Sequence, residues 1–376
     1  MSHPSTTLKA TRPFGSRAVI ALTVIAALAS ATTAAAQTAP LKKVKFAVGS
    51  RVVNIIYPYL TMATALGYWK AEGYDVEIVP LGGSLEAIQQ VVAGRVDFAQ
   101  LNSGSLMQAN VDNKLDFRAI MLVSATDWSV VSLASSPIKD IKEFKGKIIG
   151  VPSLSSGGMT LLKEYLKANG LEAGVDVGVV PVGFGAPAYE AIRTDKIQGL
   201  MFYQTGITGF EDLGARFNKM FSPDWRKMPD FTMATTQRLI DKDPAMVQAI
   251  VRGALKGQLF SMANPDCARR VQWKTWPETA PSGAPDEAAK VRWDINLLGA
   301  QSNSMKKAYA LAGSKNWGEY TPAMAGTLQD FLFRAGMIKD KLPPENFVIT
   351  APKFFDTVNA FDVKAVEDQA KACVGF

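Results

Sequence analysis

Alternating and helix-spaced apolar residues follow one another along the chain. Val44, Phe46 and Val48 alternate with polar or small residues, which predicts a strand over residues 42–48. A helical pattern then continues to Gly67, and a second alternating strand follows at 74–79. This strand–helix–strand order recurs, so we predict an α/β protein with parallel strands joined by crossover helices.

A second α/β unit is predicted after the turn at Pro137, and from Leu239 onward the pattern is mostly helical. Asp140 and Glu143 have the spacing of a capping box. We therefore predict two lobes, assigned as residues 37–135 (first part of lobe one), 136–235 (lobe two) and 236–376 (return to lobe one with C-terminal helices).

The first 36 residues have the three-part layout of a secretory signal peptide. A basic start precedes an apolar run over 18–28, and small residues end at Ala36. The run is shorter than the roughly 20 apolar residues that a membrane-spanning helix needs. We expect cleavage near Ala36 and a free protein in the periplasm.

The charge and residue counts exclude several function classes. Removing residues 1–36 leaves 38 basic and 34 acidic residues. The net positive charge is then too small to indicate a nucleic-acid-binding surface. The chain's one histidine is His3, so no histidine is expected after cleavage, and His-dependent triads and metal sites are excluded. We expect no metal and no cofactor. Cys267 and Cys373 could form a disulfide or remain buried thiols.

Four Gly- and Ser-rich loops follow predicted parallel strands, at the sheet edge where α/β proteins bind ligands. Their helix N-termini suit an electron-rich group, although Gly and Ser also serve as plain helix caps. Arg51 could pair with an anion or lie in solvent, and the aromatic residues could line a pocket or fill the core. The loops cover residues 49–51, 82–84, 102–104 and 153–158, and the aromatic candidates are Tyr57, Tyr59, Trp128, Phe184 and Tyr203.

Two features of the sequence could indicate an enzyme rather than a binding protein. Gly183 to Ala188 matches G-x-G-x-x-A, but it lies mid-chain and no histidine is available as proton donor, so we interpret it as a chance match. Glu211 and Asp212 are adjacent acids flanked by glycines, which is typical of a solvated loop. A secreted enzyme with a carboxylate-based site stays as the alternative of another class, and we expect a protein that is not an enzyme.

Several stretches resemble one family: residues 66–78, 92–98, 141–152 and 243–257, within a likeness that spans about residues 42–260. The chain resembles periplasmic solute-binding proteins of ABC importers, in the group that handles nitrate, taurine, aliphatic sulfonates and thiamine pyrimidine precursors. The resemblance implies a type II periplasmic binding protein fold, with two crossover strands and a ligand cleft between the lobes. It also implies an ABC permease of the inner membrane as partner, with the binding protein a monomer.

The resemblance and the aromatic candidates together define the expected ligand contacts. Gln204 stands where relatives often have an acid, which makes an amine-bearing ligand such as taurine less expected. A small sulfonate or carboxylate, aromatic or not, is the favoured ligand, with a pyrimidine as the alternative. The predicted contacts are Ser50, Arg51, Tyr57, Gly83, Ser84, Asn102, Ser103, Ser124, Trp128, Ser155, Ser156, Gly157, Gly158, Phe184, Tyr203 and Gln204.

Overall fold

The computed structural model describes residues 40–376, so the predicted signal peptide lies outside the described residues. Ten strands form two five-stranded sheets, ordered β2-β1-β3-β10-β4 and β7-β6-β8-β5-β9. The strands are β1 (Lys42–Val48), β2 (Tyr74–Pro80), β3 (Phe98–Asn102), β4 (Phe117–Leu122), β5 (Ser129–Leu133), β6 (Ile148–Val151), β7 (Gly178–Pro181), β8 (Gly199–Phe202), β9 (Phe217–Met220) and β10 (Phe231–Thr236).

Helices cover both sheets and make up the C-terminal third. Among the described residues no helix is long and apolar enough to cross a membrane. The helices are α1 (Pro58–Ala65), α2 (Tyr68–Ala71), α3 (Ser84–Val92), α4 (Ser103–Asp112), α5 (Gly158–Ala168), α6 (Ala186–Arg193), α7 (Gln204–Asp212), α8 (Gln237–Lys242), α9 (Pro244–Ala263), α10 (Pro265–Thr275), α11 (Glu287–Leu311), α12 (Pro322–Arg334), α13 (Phe354–Val358) and α14 (Val363–Ala372).

The sheets are mixed rather than purely parallel. β1, β2 and β3 run parallel, whereas β10 is antiparallel to β3 and β4. In the second sheet β5 is antiparallel to β8 and β9. The expectation of parallel strands was therefore wrong for β5, because it enters its sheet directly from the other lobe rather than through a crossover helix. Strand β10 is antiparallel for the same reason.

The chain crosses between the sheets at 123–128 and 221–230, as a two-lobed fold with two crossovers requires. The sequence-based boundary at 135 is misplaced, since β5 belongs to the second sheet. Ser135 to Pro137 is a genuine turn, but it lies inside lobe two. The Asp140 capping box is present and begins a short 3-10 helix.

The C-terminal helices do more than complete lobe one. Cys267 of α10 and Cys373 at the end of α14 are joined by a disulfide with their Cα atoms 5.7 Å apart. Helix α11 packs against α7 of lobe two, and Asn296 Nδ2 donates to Asp212 Oδ1 at 2.6 Å. The C-terminal segment therefore links both lobes.

The two lobes are in direct contact around the cleft. The Ser153 hydroxyl donates to the Gly82 carbonyl at 2.7 Å, and Lys167 Nζ donates to the Ala335 carbonyl at 3.1 Å. Each bond joins a residue of lobe two to one of lobe one. The lobes are therefore closed on each other, and the cleft is reduced to partly open cavities.

Candidate ligand-binding site

A cavity of about 50 Å³ lies between the lobes, where the strand ends of both sheets meet. We call it the central cavity. Residues after β1, β2 and β4 form one side and residues after β6, β7 and β8 form the other, as expected for a ligand cleft at strand ends. It is lined by Gly49, Ser50, Ile56, Tyr57, Tyr59, Ser84, Gln100, Val123, Ser124, Trp128, Pro152, Ser156, Gly157, Phe184, Tyr203, Thr205, Phe231 and Gln301.

Many of the residues singled out from the sequence line this cavity. They come from separate loops, as far apart in the sequence as Ser50 and Tyr203, and the two lobes bring them together. The predicted residues in the lining are Ser50, Tyr57, Ser84, Ser124, Trp128, Ser156, Gly157, Phe184 and Tyr203.

Arg51 and Gln204 lie outside the lining of the central cavity. The Arg51 side chain is 70% exposed, and its guanidinium lies 3.9 Å from the Glu86 carboxylate. Gln204 donates to the Thr208 hydroxyl at 3.1 Å and borders a separate polar cavity beside Asp127. The one cation among the predicted contacts is therefore directed away from the central cavity.

Gly83, Ser155 and Gly158 lie outside the lining and serve packing: Gly83 and Ser155 meet across the lobe interface, and Gly158 packs against Trp128. A Cβ added at Gly83 would lie 2.6 Å from the Ser155 carbonyl oxygen, across the lobe interface. A Cβ at Gly158 would overlap the Trp128 ring. Glycine is needed at these points because backbone or ring atoms of a neighbouring segment occupy the space of a side chain.

Asn102 and Ser103 form hydrogen bonds with the chain itself. The Asn102 side-chain oxygen accepts from the Gly104 and Ser105 amides and caps α4. Its Nδ2 donates to the Asp230 carboxylate, and the Ser103 hydroxyl donates to the Asp230 carbonyl at 2.5 Å. These polar groups are used within the fold.

The buried Asp230 carboxylate fixes the ring of Trp128. Trp128 Nε1 donates to Asp230 Oδ2 at 2.9 Å, and the indole packs edge-on against Tyr203 with ring centroids 5.4 Å apart. Burial raises the pKa of Asp230 well above its usual value, and the nearby Asp127 carboxylate raises it further, against the Trp128 and Asn102 hydrogen bonds. The Trp128 ring is thereby held as one wall of the cavity.

Sequence reasoning did not single out Gln100, Thr205, Phe231 or Gln301. Gln100 carries a detectable signal, because it is a polar residue in the middle of the buried strand β3. Gln301 carries none, since it reaches the cavity from α11, far along the chain. Only the packing of α11 across the lobes brings it there.

Two polar side chains of the lining lack hydrogen-bond partners. Gln100 is 4% exposed and its Oε1 is unpaired, and the buried Ser156 hydroxyl is also unpaired. An unpaired buried polar atom costs about 1–3 kcal/mol. Both residues line the central cavity, so their unpaired polar atoms lie beside the space that a ligand would occupy.

The helices that begin at the cavity lack side-chain caps. In the described part of the chain, α1, α3, α5 and α7 have no side-chain hydrogen bond at the N-cap. By contrast, Asn102, Asp243 and Asn264 cap α4, α9 and α10. At α7 the Gln204 N–H donates to Asp127 Oδ1 at 3.3 Å. The uncapped ends of the other three helices leave backbone N–H groups and the positive ends of helix dipoles available to an electron-rich ligand group.

The lining is neutral and rich in aromatic rings. Of the described residues that line the central cavity, none is Lys, Arg, His, Asp or Glu. Burial raises the pKa of Tyr57 to about 12, against a hydrogen bond with Ser50, and burial also raises the pKa of Tyr203. Their hydroxyls are therefore neutral near pH 7. The aromatic lining residues are Tyr57, Tyr59, Trp128, Phe184, Tyr203 and Phe231.

Comparisons with known proteins agree with this architecture. The family model described as NMT1/THI5 like matches residues 55–268. Riboflavin-binding protein RibY of Chloroflexus aurantiacus is 25% identical over 273 residues, which cover 69% of this chain and 76% of that protein.

Two solved structures show the same fold. A protein of Bordetella bronchiseptica has a TM-score of 0.65 at 21% identity, covering 84% of this chain and 96% of that one. The alkanesulfonate-binding protein SsuA from Xanthomonas axonopodis pv. citri, bound to MOPS, has a TM-score of 0.59 at 12% identity, covering 83% and 99%. Because the family model covers more than half of the sequence, the chain belongs to the NMT1/THI5-like family, whose ligand-binding members have the two-lobed periplasmic binding protein fold.

Proposed function

We propose that this protein is the periplasmic binding component of an ABC importer and that it captures an uncharged, planar heteroaromatic ligand with carbonyl groups. The observation that carries the proposal is the central cavity, which combines aromatic walls and a neutral lining with the unpaired amide oxygen of Gln100. Flat aromatic walls suit a flat ring, and few polar groups fix its orientation.

The charge of the lining favours a neutral ligand over an anion. Moving an unpaired ion out of water costs several kcal/mol even after relaxation. Each helix N-terminus returns only about 0.3–1 kcal/mol. Arg51, the cation expected to offset the charge, is exposed and faces Glu86. Carbonyl oxygens accept from the same uncapped amides without the cost of burying a full charge.

The ligand named for one relative favours a pyrimidine-type ligand over a sulfonate or carboxylate. RibY is named as a riboflavin-binding protein, and the flavin ring system carries a pyrimidinedione edge with two carbonyls and an N–H. The N–H of this edge would donate a hydrogen bond to the Gln100 side-chain oxygen, and its carbonyls would accept from the uncapped helix amides. The pyrimidine class therefore moves ahead of the sulfonate or carboxylate favoured from the sequence.

A sulfonate stays as the second candidate. The uncapped N-termini of α3 and α5 are the observation in its favour, because the oxygens of a sulfonate can accept from several N–H groups. The fold neighbour SsuA carries MOPS, a sulfonate, in its structure. The two candidates differ in charge, which a titration separates directly.

The test is a ligand titration of the purified protein, monitored by tryptophan fluorescence and thermal unfolding. We use lumichrome and thymine as neutral heterocycles, and MOPS, benzoate and nitrate as anions. A ligand at 100 times its Kd stabilises the fold by about 2.7 kcal/mol. Binding of the heterocycles, unchanged by Arg51→Ala, is expected. Binding of the anions alone, weakened by Arg51→Ala, would overturn the proposal.

The binding role is tested separately from the ligand class. We propose a binding protein rather than an enzyme, working as a monomer with a membrane permease. After prolonged incubation, mass spectrometry of the recovered ligand is expected to give its original mass. Conversion to a product would show catalysis. Native mass spectrometry of the same sample gives the number of subunits.

A further inference from the structure

A second cavity of about 500 Å³ adjoins the central cavity. We call it the annex. The two cavities share five lining residues, which form the boundary between them: Ser50, Ile56, Phe184, Tyr203 and Thr205. A ligand longer than the central cavity therefore meets the annex next, past the side chains of these residues.

The walls of the annex are predominantly apolar. Helices α6 and α7 of lobe two form one side, and Trp293 and Leu297 of α11 form the other. Phe210 of α7 is buried at its base. Among the described residues in its lining, Glu190 is the one charged side chain, and it pairs with Arg193 at 2.6 Å. The annex offers contact area and little hydrogen bonding.

Glycines on α7 keep this space open. Gly209 lines the annex, and a Cβ built there would meet only Leu297, at 3.8 Å. Glycine inside a helix costs roughly 0.5–1 kcal/mol relative to alanine. Neither positive φ nor close packing requires glycine at this position. Its effect in the structure is to leave room beside α11.

The central cavity is too small to hold a ring by itself in the closed arrangement. Its 50 Å³ is about a third of the roughly 150 Å³ of an engineered cavity that binds benzene. Any aromatic ligand held between the closed lobes must therefore occupy part of the adjoining annex. The polar edge has its partners in the central cavity, so the apolar part is the one that enters the annex.

We propose that the annex is a second subsite, which receives an apolar ring fused to the carbonyl-bearing ring. The ligand is then an extended, polycyclic heteroaromatic molecule rather than a single pyrimidine. This inference rests on the proposed function, because it assumes that the neutral polar edge binds at Gln100. The inference goes further in stating that the rest of the ligand is long and apolar, and that this apolar part binds between α7 and α11.

The test uses three neutral probes with the same pyrimidinedione edge and increasing length. Thymine has one ring, lumazine has two, and lumichrome has three, with an apolar dimethylbenzene end. The affinity is expected to rise along the series, with lumichrome at least about tenfold tighter than lumazine, because its last ring gains apolar contact in the annex.

Gly209→Leu narrows the annex between α7 and α11, and Gly209→Ala is the matched control that adds only a methyl group. Both variants replace glycine inside a helix, so both are expected to fold. The leucine variant is expected to lose the tenfold advantage of lumichrome over lumazine and to weaken the binding of thymine, which enters the annex least, much less than that of lumichrome. The alanine variant is expected to change both affinities less than threefold.

The possible failures are distinguishable. Equal affinities for thymine and lumichrome would overturn the annex subsite and leave the proposed function intact. Unchanged lumichrome binding in Gly209→Leu would overturn it as well. Binding of none of the three probes, with binding of MOPS or benzoate, would overturn the proposed function itself.

Discussion

The unpaired amide of Gln100 gives the sharpest test of the central cavity. Replacing Gln100 by methionine keeps the length of the unbranched side chain and removes its polar atoms. Gln100 lies in β3, paired with Val48 on one side and Met233 on the other, and is 4% exposed. The substitution should therefore leave the sheet intact and act on the cavity alone.

The two expected effects have opposite signs. Removing an unpaired buried acceptor should raise the free energy of unfolding by about 1 kcal/mol. Removing the ligand's acceptor should weaken binding by about 1–3 kcal/mol, because the ligand donor is then left buried without a partner. That corresponds to a 5- to 150-fold higher Kd. A residue that only supports the fold would not separate stability from affinity in this way.

The chain contains a matched control in Gln258. It lies in α9, is 1% exposed, and has both amide atoms unpaired, but it does not line the central cavity. Gln258→Met should raise stability by a similar amount and leave ligand affinity unchanged. The comparison removes any general effect of replacing a buried glutamine by methionine.

The assays are urea unfolding of the ligand-free proteins and fluorescence titration with lumichrome. The reasoning is refuted if Gln100→Met binds as tightly as the wild type. It is also refuted if both methionine variants lose affinity equally, because the effect would then be unrelated to the cavity.

The remaining predictions concern closure, pH and the disulfide. Gly83→Ala places a Cβ 2.6 Å from the Ser155 carbonyl oxygen, so it should weaken ligand binding at least about tenfold and abolish ligand-induced compaction in X-ray scattering. Gly299→Ala is the control, because the space around Gly299 is open, and it should have neither effect. Burial raises the pKa of Asp294 from its usual 3.8 to about 6, so its native state holds an extra proton and stability falls by roughly 3 kcal/mol as pH rises from about 4 to about 6. Asp294→Asn should remove that fall in urea unfolding, and an unchanged pH profile would contradict it. Cys373→Ser removes a disulfide that joins positions 106 residues apart, so it should lower the free energy of unfolding by about 4 kcal/mol in chemical unfolding. Reduction of the wild type should have the same effect, and equal stability with and without reductant would contradict this prediction.

Much of the fold follows from the sequence because its signals are local. The alternation of Val44, Phe46 and Val48 lies in β1, and the capping-box spacing at Asp140 is reproduced. The partner of each strand is not a local property. A buried apolar strand such as β5 fits either sheet, so the lobe boundary was placed at the strongest turn signal, near Pro137, instead of at the crossing segment.

The site was predictable where the strand ends determine it. Ser50, Ser84 and Ser156 lie in loops whose position follows from the α/β rule alone. Arg51 shows the limit of that rule, because a loop places a residue near the cleft without fixing where its side chain points. In the fold it extends into solvent beside Glu86. A charged residue in a loop near the cleft therefore says less about the charge of the ligand than the residues that line the cavity do.

Helix capping carries information about the site that the sequence also contains. Asp243 and Asn264 begin α9 and α10 with side-chain oxygens that satisfy the first amides, and a lost cap costs about 1 kcal/mol. Gly83, Gly157 and Tyr203 stand at the equivalent positions of α3, α5 and α7 and offer no such oxygen. These three helices begin at the central cavity, and the first amide of α7, at Gln204, already donates to Asp127. Helices α2 and α13 also lack side-chain caps, so a missing cap points to the binding face only where the helix begins at the cavity, as α3 and α5 do. There a carbonyl-bearing ligand supplies the acceptors that side chains supply at α9 and α10.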